Sequence, residues 1–213
     1  MPDVAVIDYG AGNLLSVVRA LEHCGATPVS TSDPATILKA GRVVLPGVGA
    51  FGDGMAALRD RGLETVLQQV AFTGTPLLGI CLGMQMLMDE SEEFCVTAGL
   101  GLIPGKVIQI PDRGTAGDHH KIPHIGWNEL VESSAGKSWS NGPLEDVRPG
   151  ESVYFVHSFM ADPASADHRL AHCIYGGIKV SAVVRRANVV GCQFHPEKSG
   201  DVGLRILRTF LQL

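Results

Sequence analysis

Three short apolar runs in the first 80 residues each pass into a segment with helical periodicity, and this alternation restricts the fold more than any other feature. Val4 to Ile7 leads through Gly10 and Gly12 into a helix from about Asn13, with Leu14, Val18 and Leu21 on one face and Gly25 placed to stop it. Arg42 to Pro46 leads through a glycine loop into helical segments whose Met55, Leu58, Val66, Leu67 and Val70 face inward. Thr75 to Ile80 runs directly into a helix expected over 83–90. Such alternation implies a parallel sheet covered on both faces. The second half changes character, with short strands expected near 105–110, 124–131, 152–157, 169–175, 178–184 and 188–194. A last helix begins at about Ser199, with Ile206, Leu207, Phe210 and Leu211 as its apolar stripe. The fold class is therefore α/β, a mixed but mainly parallel central sheet flanked by helices, in one domain over 1–213. Two stretches rich in Gly, Ser, Pro and charge, 112–121 and 133–150, read as surface loops.

Composition removes several classes of function. A chain that is 45% hydrophobic and only 18% charged is not a disordered one. A net charge of −5 argues against a nucleic-acid surface. The most apolar stretch, 76–88, is interrupted by Gly79, Gly83 and Gln85 and falls short of the ~18–20 residues that a bilayer requires. Asp3 and Asp8 stand where an export signal carries positive charge, so Met1 is expected to open the mature protein and the cytoplasm is the expected compartment. Five cysteines form an odd set without a C-x-x-C pair, which points to free thiols and one candidate nucleophile.

That candidate is Cys81, in Gly79-Ile80-Cys81-Leu82-Gly83, where the third run meets its helix. A nucleophile on a tight strand-to-helix turn needs neighbours without a Cβ on both sides, which is the logic of G-x-nucleophile-x-G. The turn lifts the sulfur above the sheet edge toward a helix N-terminus, which favours thiolate. It also leaves the Leu82 N–H free to donate to an oxyanion. The plainer alternative for the pentapeptide alone is a buried structural cysteine.

A base comes from His195-Pro196-Glu197, at the end of the run Asn188 to Phe194. Pro196 ends the strand, and an extended i, i+2 pair projects both flanking side chains to one side. The carboxylate then fixes the imidazole tautomer while the other ring nitrogen faces the thiol. A capped turn histidine and a solvated helix-start glutamate are the plain readings of each residue singly. The combination with the cysteine turn favours a catalytic triad.

Gly47-Val48-Gly49-Ala50-Phe51-Gly52 formally matches the dinucleotide pattern G-x-G-x-x-G. It lacks the acidic residue at a strand end some 20 positions on. A better use is an oxyanion-hole loop across from Cys81, built on Val48 and Gly49. His119, His120 and His124 are read as solvated loop histidines instead of zinc ligands, because Pro123 breaks helical pairing and no cysteine lies nearby. His168 and His172 take the same plain reading. Met84, Met86 and Met88 are read as core filling, and Trp127 and Tyr154 as core or interface.

The motifs P-G-V-G, G-I-C-L-G-M-Q and F-H-P-E, in that order, resemble the class I glutamine amidotransferases. D-Y-G-A-G-N-L, K-I-P-H-I-G-W-N, V-Y-F-V-H-S-F and H-P-E-K-S resemble, within that family, the glutaminase subunits of imidazole glycerol phosphate synthases in histidine biosynthesis. The likeness covers nearly the whole chain. It implies that Cys81 attacks the side-chain amide of glutamine, that His195 relays protons and that Glu197 orients His195. It assigns glutamine binding to Gly49, Gln85 and the backbone of His157, Ser158 and Phe159; Phe159 stands where the family often has Tyr. It further implies ammonia delivery to a separate (β/α)8 cyclase subunit in a heterodimer, docked at the face carrying Asn13, Trp127, Tyr154 and Lys198. No cofactor, metal, nucleic acid or membrane is implied. A stand-alone cysteine hydrolase of the same architecture, such as a γ-glutamyl peptidase, and a degenerate binding subunit remain the alternatives.

Overall fold

The structure is a computed structural model that describes residues 3–133, 139, 140 and 142–213. Met1 and part of the 133–150 stretch lie outside the described residues. In chain order the elements are β1 (Val4–Ile7), α1 (Leu14–His23), β2 (Pro28–Thr31), α2 (Pro34–Lys39), β3 (Arg42–Gly47), α3 (Phe51–Asp60), α4 (Leu63–Phe72), β4 (Leu77–Cys81) and α5 (Leu82–Met86). There follow β5 (Glu90–Ser91), β6 (Thr97–Ala98), β7 (Gly105–Gln109), β8 (His124–Glu129), β9 (Val131–Glu132), β10 (Ser152–His157), β11 (Phe159–Pro163), β12 (Arg169–Tyr175), β13 (Ile178–Arg186), β14 (Val189–Cys192) and α6 (Gly200–Phe210).

The main sheet runs β2-β1-β3-β4-β14-β13-β12-β9. Its pairings are parallel from β2 to β14 and antiparallel from there to β9. The alternation of side chains along β1 shows why both faces need cover. Val4 and Val6 enter one core with Val17 and Leu21 of α1 and Ile206, Leu207 and Phe210 of α6. Ala5 and Ile7 enter the other with Phe51, Met55 and Leu58 of α3 and Leu63 and Leu67 of α4. Two smaller sheets, β11-β7-β5-β6 and β10-β8, stand beside the main one.

The α/β architecture and mainly parallel sheet agree with the reading of the sequence, and several elements differ in detail. β2 and α2 precede the run at Arg42, which is therefore the third strand. Pro28 to Thr31 is an edge strand without a fully buried residue, so it carries no apolar run. The helix expected over 83–90 closes at Met86, and the chain returns through β5. β11 was not expected because Asp162 and Pro163 interrupt the pattern; it lies on a sheet edge, where a proline is tolerated. The 112–121 stretch is a largely exposed loop. The 133–150 stretch is more than a surface loop: Trp139, Leu144 and Val147 are buried in the core, and Trp139 Nε1–H donates to Leu170 O at 3.2 Å. Met84, Met86 and Met88 fill the core. Among the described residues, no helix is long and apolar enough to cross a membrane.

Candidate active site

Cys81 ends β4 at φ 55° and ψ −111°, a conformation that L residues avoid and that costs about 1–3 kcal/mol. The two flanking glycines are what make it possible. A Cβ at Gly79 would lie 2.6 Å from Gly83 O, and one at Gly83 would lie 1.8 Å from Leu45 O. α5 therefore starts directly over β3 and β4, and Leu82 is its first residue. Gly47 is the register partner of Cys81 on β3. It is followed by Val48 and by Gly49, whose φ of 99° suits glycine. A Cβ at Gly47 would come within 2.6 Å of the Tyr9 hydroxyl, which donates to Pro46 O at 2.9 Å.

His195 follows β14, whose parallel pairing with β4 brings the two strand ends together. The segment is a 3-10 turn over Pro196–Lys198 instead of an extended pair, yet the expected contact forms. His195 Nδ1 lies 2.7 Å from Glu197 Oε1, with side-chain exposures of 4% and 1%. Neither side chain is free to exchange this partner for water. Glu197 Oε2 is buried and accepts no hydrogen bond from the described residues, so His195 is the carboxylate's side-chain partner there. The backbone is also held, with His195 N–H donating to Tyr154 O at 3.0 Å and Ser199 Oγ donating to His195 O at 2.6 Å. Burial disfavours the charged imidazole, but Cys81 and Glu197 outweigh it and raise the His195 pKa to about 9.

All five cysteines are free. Burial pushes the thiol of Cys173 up to about 12 and that of Cys192 well above its usual value, with Glu197 and Cys81 adding to the latter. These two are packing residues. Cys81 lines a cavity of about 290 Å³, at the small end of ligand pockets and suited to a molecule of amino-acid size. Val48, Gly49, Leu82, Gln85 and His195 line it, as do Val156 to Phe159 on the opposite wall. Every residue expected to be catalytic or to bind substrate is thus brought to one place, with Glu197 behind His195.

Three residues at or behind the cavity carry no local signal that places them there. Glu93 lines the cavity, and its Oε2 accepts the Phe51 N–H at 2.6 Å where α3 begins. Gln193 is fully buried; its Nε2 donates toward Cys81 Sγ at 3.8 Å and its Oε1 accepts from Gln85 Nε2 at 3.1 Å. A lone amide in the apolar strand leading to His195 signals a need for partners without naming them, since a buried polar group requires partners. The third is His124, which is no solvated loop residue: it is buried on β8 against His157. His172 is buried on β12, again unlike the solvated reading. His119 is exposed, and no cluster of three potential metal ligands occurs among the described residues.

Residues expected at the partner face are exposed or half-exposed. Asn13 caps α1 by accepting Ser16 N–H at 3.4 Å. Trp127, 59% exposed, meets Tyr154 edge to face at 6.1 Å. Lys198 is exposed on the turn beyond His195.

The family model of the class-I glutamine amidotransferases matches residues 5–213. The chain belongs to this family. As a class-I glutamine amidotransferase it is a glutamine-hydrolysing enzyme, and the Cys-His-Glu arrangement is typical of the family. Imidazole glycerol phosphate synthase subunit HisH 1 of Legionella pneumophila (strain Lens) is 52% identical over 213 residues, with both chains covered in full. The HisH subunit of Methanosarcina barkeri is 46% identical over 215 aligned positions, also covering both chains in full. Among solved structures, a glutamine amidotransferase superposes with a TM-score of 0.73 at 18% identity, covering 99% of this chain and all of the other. The PurLQS structure from Thermotoga maritima gives 0.71 at 22% identity, covering all of this chain and 99% of the matched one. At these identities the two structures speak for the amidotransferase fold alone.

Proposed function

We propose that this amidotransferase is the glutaminase subunit of an imidazole glycerol phosphate synthase. The observation that carries the chemistry is the sealed His195–Glu197 pair beside Cys81 at the floor of an amino-acid-sized cavity. The narrower assignment rests on full-length relatives named as that subunit.

His195, its pKa raised to about 9, carries a proton at pH 7, and the Cys81 sulfur reacts as thiolate, the nucleophilic form of cysteine. The thiolate attacks the glutamine side-chain carbonyl carbon, and the oxyanion takes N–H bonds from Leu82 and the Val48–Gly49 loop. His195 gives its proton to the amide nitrogen, the C–N bond breaks, and ammonia leaves a glutamyl thioester. Water then adds to the thioester as His195 takes one of its protons. Collapse expels the thiolate and frees the product acid, whose proton passes to ammonia, so that glutamate and ammonium leave and the His195–Cys81 pair is as it began. Glu197 holds Nδ1 throughout. Gln85 and Gly49 contact the substrate, and the backbone at His157, Ser158 and Phe159 takes the α-carboxylate. Glu93, a carboxylate lining this cavity, suits the α-ammonium group.

As the relatives' subunit name implies, a separate (β/α)8 cyclase subunit receives the ammonia and makes imidazole glycerol phosphate and AICAR. That subunit docks on Asn13, Trp127, Tyr154 and Lys198, and the heterodimer works in the cytoplasm. Ammonia release from glutamine tests the reading, measured with and without the cyclase and its nucleotide ligand. A free-standing hydrolase needs neither addition.

A further inference from the structure

We propose that Asn128, which touches neither substrate nor nucleophile, is a positioning residue for glutamine binding that acts through His124 and His157 on the carbonyl of Phe159. This inference rests on the glutaminase reading above.

The chain of contacts has one possible direction. Asn128 Oδ1 accepts the Glu129 N–H at 2.8 Å, and its Nδ2 donates to Ile174 O at 2.9 Å. The amide orientation is fixed by these two bonds, because reversing it would set donor against donor and acceptor against acceptor. The second Nδ2 proton therefore points at His124 Nε2, 3.4 Å away, which must be a lone pair. A neutral His124 then carries its proton on Nδ1 and donates it to His157 Nε2 at 3.1 Å. His157 in turn carries its proton on Nδ1 and donates to Phe159 O at 2.8 Å. The far end agrees independently, since a carbonyl oxygen only accepts. Both histidines are thus neutral and both are Nδ1–H tautomers. Burial lowers both pKa values, to about 4 for His124 and about 3 for His157, with His120 adding at the first and Phe159 O opposing at the second. Packing holds the first ring in place: His124 stacks on Phe155 at 4.9 Å and on Tyr175 at 4.0 Å between centroids. The two histidines are register partners across β8 and β10.

The consequence falls on the substrate wall. Phe159 O receives a second donor, Gln85 Nε2 at 3.0 Å, and Ser158 O receives the Ile110 N–H at 3.0 Å. Both carbonyls of the segment assigned to the α-carboxylate are thereby engaged by donors. A carbonyl released into the cavity would set a partial negative charge against a carboxylate. The tautomer chain keeps Phe159 O occupied, and Asn128 sets the tautomers.

Asn128→Asp preserves shape but offers only acceptors, so it reverses the direction of the chain. His124→Phe keeps the stacking and removes the donor. The tautomers are read from long-range 1H–15N spectra of histidine-labelled full-length protein, and the kinetics from glutamine hydrolysis by the complex with its cyclase. The expected result is Nδ1–H signatures for His124 and His157 in the native chain, with His124 moving to Nε2–H in Asn128→Asp. In both variants KM for glutamine rises about tenfold, the scale of one lost buried hydrogen bond, while kcat changes less than twofold. A purely structural role would lower thermal stability without this split between KM and kcat. Nε2–H signatures in the native protein, or an unchanged KM in both variants, overturn the proposal. Native protein with the assigned tautomers but no glutamine hydrolysis overturns the glutaminase reading instead.

Discussion

His195 Nδ1 and Glu197 Oε1 lie 2.7 Å apart, both sealed from solvent, and with Cys81 they hold the imidazole pKa near 9 instead of 6.5. A raised folded-state value means that the protonated ring stabilises the fold. That contribution is full below about pH 6.5 and is lost as pH rises through about 9. Its size is on the order of 3 kcal/mol, from a shift of roughly two to three units. Denaturant melts of the native chain and His195→Gln at pH 6 and pH 9.5 check this. The difference between the two proteins is expected to shrink toward high pH, and a difference that grows would contradict it.

The strained turn at Cys81 separates stability from activity. Cys81→Ala and Cys81→Gly both lose glutamine hydrolysis by at least about 10³-fold. Their stabilities differ in an unusual direction. At ordinary positions Gly costs ~0.5–1 kcal/mol relative to Ala, but at φ 55° the Cβ is the strained group. Cys81→Gly is expected to melt at or above the temperature of Cys81→Ala by calorimetry.

Gly83 is the least replaceable residue of the elbow. Its added Cβ would sit 1.8 Å from the Leu45 carbonyl oxygen, a backbone atom that cannot swing aside. Gly83→Ala is expected to cost more than ~3 kcal/mol or to prevent folding. Soluble yield and urea melts read the effect. A native-like midpoint would mean that β3 and α5 are not as tightly apposed as described.

Trp127 and Tyr154 do not line the Cys81 cavity, so their loss is expected to spare the thiol. Trp127→Ala is expected to weaken cyclase binding by about 2 kcal/mol or more, roughly 30-fold, in titration calorimetry. Alkylation of Cys81 by a glutamine analogue in the isolated chain is expected to stay within twofold of native.

Legibility in the sequence followed the range of the interactions. The elbow was readable because Gly79 and Gly83 are required within two residues of Cys81, and His195 and Glu197 because their contact spans a single proline. β1, β3 and β4 announced themselves as apolar runs because both their faces are buried. β2 is a partly exposed edge, and β11 ends in Asp162 and Pro163, so neither carries the pattern that marks a strand. Glu93, Gln193 and His124 were missed for a different reason. Their partners Phe51, Cys81 and His157 lie 42, 112 and 33 positions away, and no local periodicity encodes such contacts.

Cys81 and His195, as proposed, hydrolyse glutamine on behalf of a partner. The most direct test is steady-state ammonia release by the purified chain, alone and then with the cyclase subunit and its nucleotide ligand. The expected result is near silence alone, strong stimulation by the loaded partner, and no signal in either state for Cys81→Ala. Full activity without the partner would contradict it and identify a free-standing hydrolase built on the same triad.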